Sequence, residues 1–345
     1  MTTSEKYMQR CLQLAQLGQA FVSPNPMVGA VLVYQDRIIG EGWHQKYGEA
    51  HAEVNCIQNV PEYLRHLIGK STMYVSLEPC AHYGKTPPCA QLLIDYHISK
   101  VVIGCQDPFS KVNGNGIAML QEAGISVEVG VLEAECITLN KRFFTFQHKK
   151  RPFITLKWAQ SADGFIAPVN GNNVKISNAI SHKLVHRLRT TEDAFLVGFN
   201  TVVQDNPQLT NRYWPTEKQP IRLVLDPKNE LPCDRNVFDG NTQTLIFNTT
   251  FKMFGGETEW VQIGNKDFLE GVMEVLHQRN ITSIVVEGGT KTLQLFLDKG
   301  LFDEIYVFES TQQLQEGIPA PSIQNAPRGN AQQLQDNTLT IYKIA

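Results

Sequence analysis

The 345-residue chain lacks any apolar run approaching the length of a membrane span. Its first residues, MTTSEKYMQRCLQLAQ, lack the pattern of a secretory leader. Both absences predict a cytoplasmic protein with no membrane partner. A surplus of positive charge is missing too. The 31 Lys and Arg stand against 34 Asp and Glu, a formal charge of −3. That balance argues against a nucleic-acid partner held by bulk positive charge, though local basic patches stay open. Cysteine is sparse and odd in number, seven in all, which does not suggest a disulfide framework. Cys11, Cys56, Cys105, Cys136 and Cys233 lie in mostly apolar surroundings and are expected to be core or inert. Internal repeats and strong low-complexity tracts are absent, although 312–335 is loosely Gln/Pro/Gly-rich and reads as loop. What remains is ordinary: 42% apolar and 19% charged residues, in a chain comfortable for two domains.

The most informative stretch is His51-Ala52-Glu53, which pairs at a distance with Pro79-Cys80 and Pro88-Cys89. One imidazole and two thiolates suffice to hold a catalytic Zn²⁺ that keeps its fourth position for water. Glu53 is too close to His51 to be a convenient fourth ligand, and is well placed to move the water's proton. Residues i and i+2 diverge in mid-helix, so the pair predicts a helix start with the metal off its end. A second helix is expected near Cys89, entered through Pro87-Pro88. Two thiolates neutralise the ion's charge and leave it a modest Lewis acid, so a general acid/base beside it is needed. His-x-Glu followed by Pro-Cys and a second Cys is the signature of zinc nucleobase deaminases. The usual pattern has two residues between the cysteines, whereas AHYGKTPP (81–88) puts eight there. Two other readings stay open. His82 as a fourth ligand would make the zinc structural, and the three residues could be a surface pair and two buried thiols.

Around that site, 4–19 reads as a helix and 30–34 as a strand, joined through Ser23-Pro24-Asn25-Pro26. Asn25 offers a donor and an acceptor to a base edge, or simply forms the turn. Strands at 72–76, 101–104 and 125–129 alternate with helices at 52–57, near Cys89 and at 115–123, the pattern of a layered α/β sheet. Residues 147–152 (QHKKRP) are polar and basic and predict a linker between domains at 1–146 and 152–345. Beyond it come a strand at 153–158, a helix at 181–190, strands at 194–198 and 283–286, and a helix at 291–299. No Gly-rich fingerprint of the doubly wound dinucleotide fold follows the first of these strands. Gly288-Gly289-Thr290 before the last helix is a candidate phosphate cradle, a weak signal alone.

PNPMVGAVLV, GEGWHQKYGEAHAEVN, SLEPCAHYGKTPPC and DPFSKVNGNGIAMLQEAGISVEVGVLEAE strongly resemble the deaminase half of the bifunctional riboflavin-biosynthesis deaminase–reductases. That family carries the longer cysteine insert. LKWAQSADGFIA, LRTTEDAFLVGFNTVVQDNPQLTNR, IRLVLDP and IVVEGGTKTLQLFLDKGLFDEI resemble its reductase half. The resemblance implies a cytidine-deaminase-like three-layer α/β/α domain followed by a dihydrofolate-reductase-like α/β domain, with Zn²⁺ and NADPH as cofactors. It implies a phosphorylated pyrimidine substrate and a homodimer or higher homo-oligomer. By that likeness His51, Cys80 and Cys89 hold zinc and Glu53 shuttles protons. Asn25 and His44 touch the pyrimidine, and Lys85 and Thr86 meet the ribose phosphate. In the second half Ala159, Lys175, Thr201, Asp205, Gly288, Gly289 and Thr290 lie along NADPH. Lys157, Asn173, Arg189, Leu209, Arg212 and Glu287 line the substrate. Three features depart from the family: Lys175 replaces a usual Trp, Asn173 a common Ser, and ESTQQLQEGIPA after Phe308 lacks the usual Pro/Gly pattern. Two alternatives are a second half that only binds ligand or mediates dimerisation, and a nucleoside or tRNA deaminase with an appended binding module.

Overall fold

The computed structural model describes residues 2–343 apart from 83–86, 111, 170–173, 217, 265–266 and 325–328. The chain divides into two compact units, Met1–Lys150 and Arg151–Ala345. In the first, α1 (Thr3–Gln16) precedes the hairpin β1 (Gly29–Tyr34) and β2 (Arg37–Trp43). Gln35 and Asp36 both take positive φ, the two-residue turn whose twist matches paired strands. Next come α2 (Ala52–Gln58), β3 (Thr72–Leu77), α3 (Cys89–Asp95), β4 (Lys100–Cys105), α4 (Asn115–Glu122) and β5 (Ser126–Val129). The helices α5 (Glu133–Leu139) and α6 (Lys141–Lys149) end the unit.

The five-stranded sheet runs β2-β1-β3-β4-β5, with β3, β4 and β5 parallel and β1 antiparallel to both neighbours. Successive side chains on β1 leave by opposite faces. Ala30 and Leu32 pack with Ala52, Cys56, Leu93 and Leu120 of α2, α3 and α4, whereas Val31 and Val33 pack with Met8, Leu12 and Cys136 of α1 and α5. The unit is therefore helix–sheet–helix. At seven residues each, α2 and α3 are too short to persist alone, and this packing holds them. Gly42 sets how closely α2 lies on the sheet, since a Cβ there would stand 2.2 Å from the Cys56 backbone nitrogen.

The second unit opens with β6 (Phe153–Gln160), β7 (Phe165–Ala167), α7 (Ala179–Thr191), β8 (Ala194–Gly198) and α8 (Phe199–Asp205). It continues through β9 (Ile221–Leu225), β10 (Thr244–Asn248), β11 (Met253–Gly255), β12 (Thr258–Gln262) and α9 (Phe268–Gln278). The last elements are β13 (Ser283–Val286), α10 (Thr290–Asp298), β14 (Glu304–Ser310), β15 (Ile318–Pro319), β16 (Asn330–Leu334) and β17 (Asn337–Lys343). Among the described residues ten strands form one sheet, β11-β12-β10-β9-β8-β13-β6-β14-β17-β16, parallel in its centre and antiparallel at both edges. Leu156, Leu196, Leu223, Val286 and Val307 pack with Leu269, Leu276, Leu293 and Phe296 of α9 and α10. The opposite face meets α7 through Val185 and Phe308.

Two expectations are corrected here. Segment 312–335 is not loop throughout: it holds β16 and the short β15, which pairs with β7. Backbone pairing, rather than apolar content, builds these strands, so periodicity carries no trace of them. Cys233 is exposed, while Cys11, Cys56, Cys105 and Cys136 are buried as expected.

Candidate active sites

In the first unit His51 is the N-cap of α2 and Cys89 is the first residue of α3, so both project from helix starts. Cys80 follows the end of β3. The ligand atoms of His51, Cys80 and Cys89 all lie within 4.8 Å of one another. His51 Nδ1 stands 3.6 Å from the Cys80 sulfur and 3.4 Å from the Cys89 sulfur. Zn–S and Zn–N bonds of about 2.3 and 2.1 Å at a tetrahedral angle give an S···N edge of about 3.6 Å. The donor set fits zinc in both chemistry and spacing. The Cys89 N–H donates to the Cys80 sulfur at 3.2 Å. The Cys80 thiol is drawn down to about 4, first by its hydrogen bond with Cys89 and, against burial, by His51. His82 is not part of the cluster; its ring stands edge-on to Phe109, 5.9 Å between centroids.

Glu53, on the first turn of α2, is 3% exposed, and burial raises its carboxyl pKa. Burial favours the protonated carboxyl over the ionised one, and the neighbouring His51 opposes it. His44 is likewise buried. Its Nδ1–H donates to the Ala50 carbonyl at 3.1 Å, which leaves Nε2 to accept from the Asn25 amide at 3.1 Å. The rings of His44 and His51 meet edge to face at 5.4 Å, so Asn25, His44 and the metal ligands form one pocket wall. Lys85 and Thr86 lie outside the described residues.

Glu78, two residues before Cys80, was not singled out by sequence reasoning. Its buried carboxylate accepts N–H groups from Asp107, Gly114, Gly116 and Ile117 at 2.9–3.2 Å. It ties the end of β3 to the chain after β4 and to the start of α4.

The second unit gathers its polar groups from four separate segments. The spacing of His182, His186 and Arg189 on α7 gives them one helix face. Arg189 donates from Nη2 to Glu287 Oε2 at 3.0 Å and from Nη1 to the Thr210 carbonyl at 3.1 Å, and its buried Nε has no hydrogen-bond partner among the described residues. Lys157 on β6 brings Nζ to 3.2 Å from Glu287 Oε1. All three side chains are between 10% and 16% exposed. Burial opposes ionisation of Glu287, but Lys157 and Arg189 outweigh it and hold the carboxyl at about 2. Leu209 is buried and takes φ of +54°, a strained conformation for a branched side chain. Arg212 is fixed by its backbone, whose N–H donates to His186 Nδ1 at 3.0 Å; its guanidinium meets Gln208 and Thr210.

The turn between β13 and α10 is braced by α8. Gly289 is the N-cap of α10, and its N–H donates to the Thr201 hydroxyl at 2.9 Å. A Cβ on Gly288 would stand 2.6 Å from that of Thr292. A turn bared of side chains at a helix N-terminus suits a dinucleotide phosphate. The Thr290 hydroxyl donates to the Pro319 carbonyl. Ala159 lies on β6 opposite Phe308, and Asp205 is exposed at the end of α8. Lys175 is exposed too, and reaches the α7 face only through its charge. The pKa of His182 is lowered by burial and then by Lys157 and Lys175. Asn173 lies outside the described residues. The atypical segment after Phe308 continues β14 to Ser310, and the Asp163 carboxylate then accepts the N–H groups of Leu314 and Gln315.

Comparison with known proteins places both units. A family model described as the cytidine and deoxycytidylate deaminase zinc-binding region matches residues 1–105, and one described as the RibD C-terminal domain matches 152–310. The riboflavin biosynthesis protein RibD of Aquifex aeolicus is 41% identical over 91% of this chain and 88% of its own length. That of Bacillus amyloliquefaciens is 39% identical over 92% and 87%. A Thermotoga maritima structure, described as a diaminohydroxyphosphoribosylaminopyrimidine deaminase/5-amino-6-(5-phosphoribosylamino)uracil reductase, superposes with a TM-score of 0.89. It is 36% identical and covers 99% of both chains. A cytidine-deaminase-like unit followed by a RibD reductase-like unit makes this chain a member of the RibD family of riboflavin-biosynthesis proteins.

Proposed function

We propose that this chain carries out two consecutive steps of riboflavin biosynthesis. The first unit deaminates a diaminopyrimidinone ribosyl phosphate, and the second reduces the resulting ribosyl chain to ribityl. In the first step water replaces the exocyclic amino group, giving a ring carbonyl and ammonia. His51, Cys80 and Cys89 would hold zinc, which would supply the Lewis acidity that makes water nucleophilic at neutral pH. Glu53 moves the water's two protons in turn, the first to the ring nitrogen and the second to the departing ammonia. Asn25 and His44 position the pyrimidine edge, and Lys85 and Thr86 bind the ribose phosphate.

In the second step the first carbon of the ribosyl unit would gain a hydride from NADPH as its bond to the ring oxygen breaks and that oxygen takes a proton from solvent. Thr201, Gly288, Gly289 and Thr290 bind the cofactor's phosphates, and Ala159, Lys175 and Asp205 lie along it. Lys157 and Glu287 flank the reacting carbon, and Asn173, Leu209, Arg189 and Arg212 hold the substrate. The domain boundary is the short stretch at 147–152, and the protein works in the cytoplasm as a homo-oligomer. None of its helices is long and apolar enough to cross a membrane among the described residues.

The observation that carries the reading is the His51–Cys80–Cys89 cluster with a buried carboxyl beside it. Purified protein is tested with the diaminopyrimidinone phosphate, with and without NADPH. Ammonia release should require metal but not NADPH, and NADPH oxidation should require the deaminated product. Ammonia release with no NADPH oxidation would favour a second half that only binds ligand.

A further inference from the structure

His186 belongs to none of the residue sets above, yet it sits where Arg189 and Arg212 converge. Its side chain is 2% exposed. The Arg212 backbone N–H donates to Nδ1 at 3.0 Å, so Nδ1 carries no proton. The neutral ring must then carry its proton on Nε2. Nε2 lies 3.4 Å from Nη1 of Arg189, itself a donor already pledged to the Thr210 carbonyl. Two donors converge there, and no acceptor is present for Nε2–H among the described residues. A buried N–H without an acceptor is costly, and protein sites retain one where a ligand supplies the oxygen. The ring has no freedom to turn elsewhere, since Tyr213 stands edge-on to it at 4.4 Å.

We propose that His186 is a ligand-binding residue of the second site. Its Nε2–H is a third donor, alongside the guanidinium groups of Arg189 and Arg212, to one phosphate oxygen of the ribosyl phosphate. The inference rests on the reductase reading for the identity of the ligand. The ring does two jobs through its two nitrogens: Nδ1 holds the backbone at Arg212, and Nε2 reads the anion. Its neutral form is what permits both. A protonated ring would face the Arg212 N–H with a second donor.

The two jobs can be separated, because an Asn amide reaches about as far as Nδ1 and a Gln amide about as far as Nε2. Titration calorimetry of ribose 5-phosphate and of ribose into wild type, His186→Asn and His186→Gln, each carrying Lys85→Ala and Thr86→Ala to remove the first unit's phosphate contacts, reads binding without turnover. Wild type should prefer the phosphorylated sugar. His186→Asn, which keeps the acceptor for Arg212 but loses the donor, should weaken ribose 5-phosphate about tenfold and leave ribose unchanged. His186→Gln, which restores an N–H donor, should recover part of that loss. Circular dichroism and the melting temperature check that each variant folds. A wild-type preference that survives in His186→Asn overturns the proposal, as does equal weakening of both sugars or a wild type that prefers neither. A wild type that prefers the phosphate but never oxidises NADPH refutes the reductase reading alone.

Discussion

Lowering the pH should unravel the second unit through His186, in a window the structure defines. Burial, then the charges of Arg189 and Arg212, push the imidazole down to about 4. In the unfolded chain it titrates near 6.5. A group whose folded pKa is depressed gives its full stability above the unfolded value and loses it as pH falls towards the folded one. The gap is about two and a half pH units at about 1.4 kcal/mol each, so about 3.5 kcal/mol disappears between pH 6.5 and 4. The perturbation is His186→Gln, which removes the titrating ring. Three of the four tryptophans, Trp158, Trp214 and Trp260, lie in the second unit, so a Trp43→Phe background makes fluorescence report on it. Urea unfolding of both proteins from pH 8 to pH 4 gives the free-energy difference at each step. It should be flat above pH 6.5, with wild type ahead because Arg212 keeps its backbone anchor. Below that it should narrow by about 1.4 kcal/mol per pH unit. Curves that stay parallel from pH 8 to pH 4 refute the claim that His186 is buried neutral. Taking the difference cancels His182, which titrates in both proteins.

Other perturbations reach the remaining groups. Glu53→Gln should keep one zinc per chain by metal analysis while ammonia release falls by two or more orders of magnitude; near wild-type release would remove Glu53 from the mechanism. Cys89→Ala should lose the metal as well. Glu287→Gln leaves Lys157 and Arg189 without their shared counter-charge, costing the second unit about 3 kcal/mol in urea unfolding and most of its NADPH oxidation; unchanged stability would mean the cations are solvated. Lys175→Trp should bind NADPH with a weaker salt dependence than wild type, since an exposed ammonium is screened and an indole is not. Superimposable titrations at low and high salt would take Lys175 out of the cofactor site.

The difference between what was and was not readable follows the distance over which each site is encoded. His51 and Glu53 fall at the start of α2 and Cys89 at the start of α3, which two prolines precede. Three short motifs therefore specify the cluster, and spacing along the chain anticipates it. The strands at 194–198 and 283–286 were equally legible because both are buried on two faces and read as unbroken apolar runs. The antiparallel edge at β16 was not, since four of its five residues are exposed and backbone pairing alone defines it. Cys233 is exposed because apolar neighbours in sequence do not bury a loop residue. His186 was invisible for a further reason: its partner is the backbone N–H of Arg212, a group present at every non-proline position, which leaves no mark in the sequence.

On the function proposed above, the second site lets a chain of net negative charge select an anion. Lys157 and Arg189 both stand against Glu287, and the pKa of Arg212 is lowered by burial and then by the charge of Arg189. Glu287 pairs with the first two at 3.2 and 3.0 Å, while its own ionisation is secured by the same contacts. One carboxylate against three cations leaves a local surplus of positive charge. The Nε of Arg189 has no partner among the described residues, so they do not exhaust its hydrogen-bonding capacity. Rigidity comes from elsewhere: the Thr210 carbonyl orients Arg189, and the neutral His186 ring holds Arg212 by its main chain. Charge is supplied by side chains and position by uncharged groups. Changing a positioning group should therefore alter affinity for the phosphate with little change in its salt dependence, whereas removing a cation should alter both.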